Sequence, residues 1–315
     1  MDKNSKIYVS GHKGLVGSSI IRLLISNGYN NIITKSRSEL DLTDNQAVKL
    51  FFDNYKPEYV VMAAAKVGGI QYNKNYPADF IRDNLLIQNN IIDTSYKYGV
   101  KKLCFLGSAC IYPKLANVPI SESSLLTGPL EETNEAYSIA KISGYFMCKK
   151  YTEQHSFNTI SLMPANLYGI NDNFRPQESH VIPALIKKFV DAKKLNLSYV
   201  KNFGDGSCTR EFLHVDDLAD AILFLMSNYN DPSIINVGTG TEISIKEVCN
   251  IIKNIIGYNG DIVWDTTYPN GTPRRFLNIS KITSLGWKPK ISLIDGLKST
   301  IEWYLNNQHH ISVRS

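Results

Sequence analysis

Between Leu103 and Lys150 stand out the hydroxyl of Ser108, the thiol of Cys110, the phenol of Tyr137 and the ammonium of Lys141, groups that together could move a proton. Tyr137 and Lys141 stand four residues apart in a segment with helical apolar spacing (Ala136, Ala140, Tyr145, Met147) and no glycine or proline before Gly144. On a helix, such positions share a face one turn apart. An ammonium beside a phenol stabilises the phenolate and lowers its pKa from about 10 toward neutrality, where a tyrosine can give or take a proton. Alone, a Tyr-x-x-x-Lys pair is more often an ordinary helix-surface pair. The chemistry therefore depends on what the rest of the chain places beside it.

The apolar run Leu103-Cys104-Phe105-Leu106 predicts a buried strand that ends in Gly107-Ser108-Ala109-Cys110, delivering hydroxyl and thiol to the strand's carboxyl end. Further back, Lys6-Ile7-Tyr8-Val9-Ser10 reads as a strand and Ser18 to Asn27 as an amphipathic helix. Between them lies Gly11-His12-Lys13-Gly14-Leu15-Val16-Gly17. Strand, glycine turn and helix in that order suit a dinucleotide. The glycines allow the turn, the close approach of backbone to pyrophosphate and the packing of helix on strand, and the helix N-terminus faces the phosphates. The spacing is G-x-x-G-x-x-G, and a plain tight turn is the alternative. The second strand, Asn31 to Thr34, leads into Lys35-Ser36-Arg37 where an NAD site usually has an acidic residue about 20 residues past the glycines. Cations there suit a 2′-phosphate, so NADPH is favoured over NADH, with Lys13 and Arg37 as contacts. Asp41-Leu42-Thr43-Asp44 reads as a loop and helix cap, with Asp41 a candidate for the adenine.

Tyr59 to Met62 is a third apolar run, followed by Ala63-Ala64-Ala65-Lys66-Val67-Gly68-Gly69, whose small residues fit either close packing or a backbone held against a ligand. Asp79 to Tyr98 predicts a long helix, and Ile291 to Asn307 a closing one. Strands alternating with helices imply an α/β fold: a Rossmann-type doubly wound parallel sheet that binds ligands at the carboxyl ends of its strands. In that frame Ser108 and the Tyr137 helix face the cofactor. The expected division is a cofactor domain over 1–165 and a smaller α/β substrate lobe over 166–315, with about 209–240 returning to the first domain.

Composition excludes several alternatives. Lys and Arg number 34 against 29 Asp and Glu, a net charge of +5 without a block of like charge. A nucleic-acid binder would concentrate its cations. No apolar run approaches the roughly 18 residues of a membrane span, and the N-terminus leads straight into the first strand without a signal-peptide pattern, so a cytosolic protein is expected. Five cysteines with no C-x-x-C and no paired histidines at ligand spacing indicate neither a disulfide framework nor a metal site.

The glycine spacing, the Asp41-x-x-Asp44 loop, the Ala63-Ala64-Ala65 run and the set Ser108, Tyr137 and Lys141 together resemble the extended short-chain dehydrogenase/reductase family, whose members mostly act on nucleotide sugars. Longer stretches narrow the likeness: Ala64 to Ile70, Tyr76 to Ile81, Ser108 to Lys114, Ser179 to Leu185 and Arg210 to Asp217. They are similar to a branch of NADPH-dependent 3,5-epimerase/4-reductases of GDP-linked 4-keto-6-deoxy sugars, from about Lys6 to Asn307. The resemblance implies Ser108, Cys110, Tyr137, Lys141 and His180 as the catalytic set. Cys110 would be the base, His180 the acid, and Ser108 and Tyr137 the groups on the C4 oxygen. A thiol is a usable base only as its thiolate.

The same resemblance implies cofactor contacts from Gly11, Lys13, Gly14, Leu15, Val16, Gly17, Arg37, Asp41, Leu42, Ala63, Ala64, Ala65, Leu106, Gly107, Lys141, Pro164, Asn166, Leu167 and His180. For the substrate it implies Ser108, Cys110, Asn166, His180 and Val181 around the sugar, and Lys188, Phe203, Arg210, Asn270 and Arg275 around the nucleotide. A homodimer through the Asp79–Tyr98 and Tyr137 helices is the family habit. Ala109, Phe203, Cys208-Thr209, Glu178 and Arg82-Asp83 depart from the pattern of that branch. Usage rich in Asn, Ile and Lys is that of an AT-rich bacterial genome. Together these leave open a GDP-4-keto-6-deoxy-heptose for capsule synthesis, reduced at C4 with little or no epimerisation.

Overall fold

In a computed structural model the chain is described over residues 1–308 except Gln177 and Pro269. Those two positions, in the predicted loops Asn171–Gln177 and Tyr268–Arg275, and residues 309–315 of the predicted second lobe lie outside the described residues. The first half alternates as expected: β1 (Ile7–Ser10), α1 (Leu15–Ser26), β2 (Ile32–Ile33), α2 (Asn45–Tyr55), β3 (Tyr59–Met62), α3 (Ile70–Asn75), α4 (Pro77–Lys97), β4 (Lys102–Leu106), α5 (Glu135–His155) and β5 (Thr159–Pro164). The second half runs β6 (Asn166–Tyr168), α6 (Val181–Lys194), β7 (Tyr199–Phe203), β8 (Thr209–Arg210), β9 (Phe212–His214), α7 (Val215–Asn228), β10 (Ile234–Val237), β11 (Ile243–Ser244), α8 (Ile245–Ile256), β12 (Asp261–Asp265), β13 (Arg274–Arg275), α9 (Ser280–Ser284) and α10 (Leu293–Asn306).

The main sheet has six strands in the order β10-β5-β4-β3-β1-β2, every pair parallel. Strands β1, β4, β5 and β10 are buried at every position, as a parallel sheet covered on both faces requires. Helix α1 packs with α7, while α4 packs with α2 and α5. The order reverses between β1 and β3, on either side of which β2 and β4 lie, and ligands in such sheets bind at the carboxyl ends near that reversal.

Two apolar cores divide the molecule. One fills both faces of the main sheet and draws in Leu218, Ile222, Leu225, Ile235, Leu277 and Trp287 from the second half. The other gathers Tyr168, Phe174, Ile186, Phe189, Val200, Phe212, Ile252, Leu297 and Ile301, beneath α6, α8 and α10.

Local chemistry explains the element ends. The Asp44 side chain caps α2 by accepting the N–H groups of Gln46 and Ala47 at 2.8 and 3.1 Å. Helix α4 opens at Pro77, two residues before the predicted start, because proline is favoured in a first helical turn, where its missing N–H is no loss. Helix α1 likewise begins at Leu15, inside the predicted glycine turn. The cause is Gly17: a Cβ there would lie 2.2 Å from the Gly11 carbonyl oxygen, so only glycine lets the helix start this close to the strand.

Candidate active site

Strand β4 ends at Leu106, and the chain enters a short 3-10 turn, Ala109–Ile111, that Ser108 caps by accepting the Cys110 N–H at 3.2 Å. This turn places the Ser108 hydroxyl and the Cys110 thiol on one short arc. Helix α5 lies over it, because Gly144 lets the helix settle on the strand. A Cβ at Gly144 would come within 2.4 Å of the Phe105 ring. The Gln88 amide, from α4, donates to the Ala140 carbonyl at 2.7 Å and fixes the helix's axial position.

That packing brings Tyr137 near Ser108 and into the electrostatic reach of Cys110. Burial pushes the Tyr137 phenol up, contrary to the lowering expected from a neighbouring lysine. The geometry shows why: the Lys141 ammonium donates to the Leu106 carbonyl at 2.8 Å and stands 5.8 Å from the centre of the tyrosine ring. Lys141 is 3 % exposed, and burial lowers its pKa to about 8. In this arrangement Tyr137 keeps its proton, as a proton donor must.

Two residues that sequence reasoning missed complete the cluster. The Asn134 amide donates to the Cys110 sulfur at 3.4 Å. The Ser138 hydroxyl is placed to donate to the Cys110 carbonyl at 3.0 Å and the Asn134 side-chain oxygen at 3.4 Å. Asn134 is the N-cap position of α5, three residues before Tyr137. That helical spacing was the available signal.

The structure brings Ser108, Cys110, Tyr137 and Lys141 together. His180 stands apart, at the N-cap position of α6 in the second half. Among the described residues it makes no side-chain hydrogen bond to any of those four. Its ring is open to solvent on one side, yet surrounding protein desolvates it enough to hold the imidazole below its ordinary pKa. The loop before it is pinned to the alanine–glycine segment by the Gly69 N–H, which donates to the Glu178 carbonyl at 2.8 Å. Val181 opens α6, half-buried behind His180.

The glycine turn sits at the carboxyl end of β1. The Gly14 N–H closes it by donating to the Gly11 carbonyl at 3.0 Å, and the N-terminus of α1 has no side-chain cap. Lys13, Leu15 and Val16 all keep some solvent exposure along this rim. Ala64 abuts Gly11 across the floor, its N–H donating to the Ser10 hydroxyl at 3.2 Å, and Ala63 and Ala65 flank it half-buried. At the end of β2, Lys35 is engaged by Glu39 at 3.6 Å and lies over the Tyr55 ring at 5.0 Å. Arg37 is exposed. Glu39 turns back onto Ser36, accepting its N–H at 2.8 Å and its hydroxyl at 2.6 Å. The Asp41 carboxylate is taken by the Thr43 N–H and hydroxyl, and Leu42 is half-buried beside it.

An uncapped helix end, a floor of small residues and an exposed arginine whose acidic neighbours bond elsewhere fit a dinucleotide with a 2′-phosphate. Leu106 ends β4 with Gly107 just beyond it, and Pro164 ends β5, all at the carboxyl edge of the sheet. Asn166 and Leu167 open β6, where the Asn166 amide donates to the Glu211 carbonyl at 2.9 Å.

The nucleotide-side residues form a second group. Lys188 donates to the Lys201 carbonyl at 2.8 Å and the Asn202 side chain at 2.9 Å, and lies 5.8 Å from the Phe203 ring centre. Phe203 is 64 % exposed and pairs with Tyr268 at 4.1 Å between ring centres, an open aromatic surface suited to a flat base. The Asn270 side-chain oxygen accepts the Asp205 N–H at 3.1 Å. Arg210 donates to the Thr209 and Thr272 carbonyls. Arg275 reaches the other way, to the Ala109 and Tyr112 carbonyls. Among the described residues no group of His, Cys, Asp and Glu could hold a metal ion, and no helix is long and apolar enough to cross a membrane.

Comparison with known proteins agrees with this geometry. Residues 7–238 match the family model for the NAD dependent epimerase/dehydratase family. GDP-L-fucose synthase 1 of Arabidopsis thaliana is 54% identical over 306 residues, covering 97% of this chain and 95% of that protein. GDP-L-fucose synthase of Escherichia coli strain K12 is 46% identical over 312 residues, covering 96% and 97%. A solved structure of a GDP-mannoheptose C4 reductase from Campylobacter jejuni with NADP bound superposes with a TM-score of 0.89 at 42% identity, covering 97% of this chain and 99% of that one.

Proposed function

The chain belongs to the NAD dependent epimerase/dehydratase family, and from that premise we propose that it is an NADPH-dependent oxidoreductase that reduces C4 of a GDP-linked 4-keto-6-deoxy sugar after inverting C3 and C5. The observation that carries this reading is the placement of Cys110 on the same turn as Ser108, against Tyr137 and Lys141. A reductase needs the last three; a thiol beside them adds a base within reach of the same ring.

A ketone at C4 acidifies the protons on C3 and C5. Ser108 and Tyr137 would hold the C4 oxygen as negative charge develops on it, an effect worth about 10²–10³ in rate for one well-placed donor. Cys110 would remove a proton from one face, its sulfur held in place by the Asn134 amide. His180, brought from the second half at the head of α6, would return a proton from the opposite face. NADPH, when bound, supplies the hydride for C4. Tyr137 then gives its proton to the C4 oxygen, and the Lys141 charge stabilises the phenolate left behind. Arg210, Lys188 and the Phe203–Tyr268 pair would hold the GDP.

The second reading is a C4 reductase of a GDP-linked 4-keto-6-deoxy-heptose for capsule synthesis, with little epimerase activity. The likeness to the Campylobacter jejuni heptose reductase favours it. Incubation in deuterated water without NADPH, with hexose and heptose substrates in turn, separates the two. Label at C3 and C5 supports epimerisation. Reduction with NADPH but no label defeats it. The half-exposed Leu86 and Ile139 on α4 and α5 fit a homodimer through these helices, with the enzyme acting in the cytoplasm. Gel filtration at twice the chain mass is the expected result.

A further inference from the structure

Arg275 lies on β13, whose backbone is held from several sides. It pairs in parallel with β8, in register with Arg210. The Glu211 N–H donates to the Arg275 carbonyl at 3.3 Å, and the Leu277 N–H donates to the buried Glu211 carboxylate at 2.7 Å. The Ile120 N–H fixes the next residue by donating to the Phe276 carbonyl at 2.9 Å. From this rigid base the side chain crosses to the catalytic turn. Its Nη2 donates to the Ala109 carbonyl at 2.7 Å and the Tyr112 carbonyl at 3.3 Å. These oxygens bracket Cys110 in sequence. A guanidinium nitrogen carries two hydrogens in a fixed plane and keeps its charge throughout the working range, so one nitrogen can clamp two carbonyls.

We infer that Arg275 is a positioning residue for the proton-transfer step, setting the Ala109–Ile111 turn so that the Cys110 sulfur stands where the base must stand. The inference rests on the epimerase reading above and deepens it. Arg275 belongs to the nucleotide-side group, yet its hydrogen bonds run to the turn. Two paired strands thus carry their arginines apart, β8 with Arg210 on the nucleotide side and β13 with Arg275 toward the turn. The turn is also held locally by the Ser108 cap and the Tyr112 N–H on the Ala109 carbonyl at 3.3 Å, from α5 by Ser138 and Asn134, and at its far end by the Tyr112 hydroxyl on Asn236. Arg275 alone among these brings a charge to its backbone carbonyls.

The test compares Arg275→Met and Arg275→Lys with the parent enzyme by two measurements. The first is deuterium incorporation at C3 and C5 of the 4-keto GDP-sugar. Arg275→Met should lower its kcat at least tenfold with KM changed less than threefold, and Arg275→Lys should restore most of the loss. The second is backbone amide exchange of the peptide covering residues 107–113, which should quicken in Arg275→Met and recover in Arg275→Lys, with or without substrate. A tenfold rise in KM with unchanged kcat and unchanged amide protection would make Arg275 a nucleotide ligand and overturn the inference. An Arg275→Met protein too unstable to assay leaves the lysine variant, and full loss of deuterium incorporation there despite normal turn protection also overturns it. If the parent enzyme incorporates no label, the epimerase reading fails, and the amide exchange alone decides whether Arg275 sets the turn.

Discussion

The Asn134 side-chain amide donates a hydrogen bond to the Cys110 sulfur across 3.4 Å, from the cap of α5 to the turn after β4. A donor aimed at a sulfur fixes where that sulfur stands. A hydrogen bond contributes about 0.5–1.5 kcal/mol, and 1.4 kcal/mol is a factor of ten. Asn134→Ala should therefore slow deuterium incorporation at C3 and C5 by up to about tenfold, while reduction of an already epimerised substrate changes far less. Equal losses in both activities would count against a role through the sulfur.

In the proposed mechanism Cys110 acts on the protons of C3 and C5 and Tyr137 on the C4 oxygen, so their losses should separate. Cys110→Ser should cripple incorporation of solvent deuterium and leave reduction comparatively intact. Tyr137→Phe should do the reverse, because a phenylalanine ring fills the site but has no proton for the C4 oxygen. The contrast is read by NMR of the sugar and by NADPH absorbance on the same preparations.

Lys141 sets a pH limit. Burial holds its pKa at about 8, well below the ordinary lysine value. The ammonium is present below that pH and lost above it, so the rate of reduction should fall as pH rises through about 8. Lys141→Arg, which stays charged, should remove that alkaline limb, and Lys141→Met should lower reduction by about 10² or more at every pH, the usual scale for an acid–base group. Stability has the opposite sign. Between about 8 and the ordinary lysine range the unfolded chain binds more protons than the folded one, so this group's contribution to stability rises with pH across that window. Urea denaturation at several pH values reads the slope.

Gly17→Ala tests the cofactor turn. The added Cβ would meet the Gly11 carbonyl oxygen at 2.2 Å, forcing α1 away from the turn. Overpacking of this kind costs about 1–3 kcal/mol, and the displaced helix end should weaken NADPH binding about tenfold in a fluorescence titration. Near-normal affinity would mean that the N-terminus of α1 does not hold the pyrophosphate.

Arg37 should decide between the two nicotinamide cofactors. Arg37→Ala should raise the Kd for NADPH about tenfold and leave that for NADH unchanged, since only the former carries a 2′-phosphate for a guanidinium to grip. Similar losses for both cofactors would place the phosphate contact elsewhere.

Much of the fold could be read in advance because the informative patterns were local. Runs such as Leu103–Leu106 and the Gly11–Gly17 spacing name their own elements, and Tyr137 and Lys141 share a helix face by arithmetic. What escaped notice depends on contacts between distant segments. Asn134 meets Cys110 only because Gly144 seats α5 on Phe105. The resemblance puts Arg275 among the nucleotide contacts, but β13 turns its guanidinium toward the Ala109 carbonyl. The direction of the Tyr137 shift escaped for a related reason: spacing puts an ammonium on the same helix face but says nothing of the Leu106 carbonyl that occupies it, or of how thoroughly the phenol is enclosed.

Strand β10 is the main sheet's last member in the chain, arriving after the entire α6–α7 excursion to lie beside β5. Until residue 237 leaves the ribosome, β5 presents an edge of unpaired backbone groups over Ser161–Pro164 that Ile234–Val237 closes. A fragment cut after β5 should therefore be recovered as aggregates rather than as a free-standing cofactor module. The two halves of this enzyme are made in sequence but finish together.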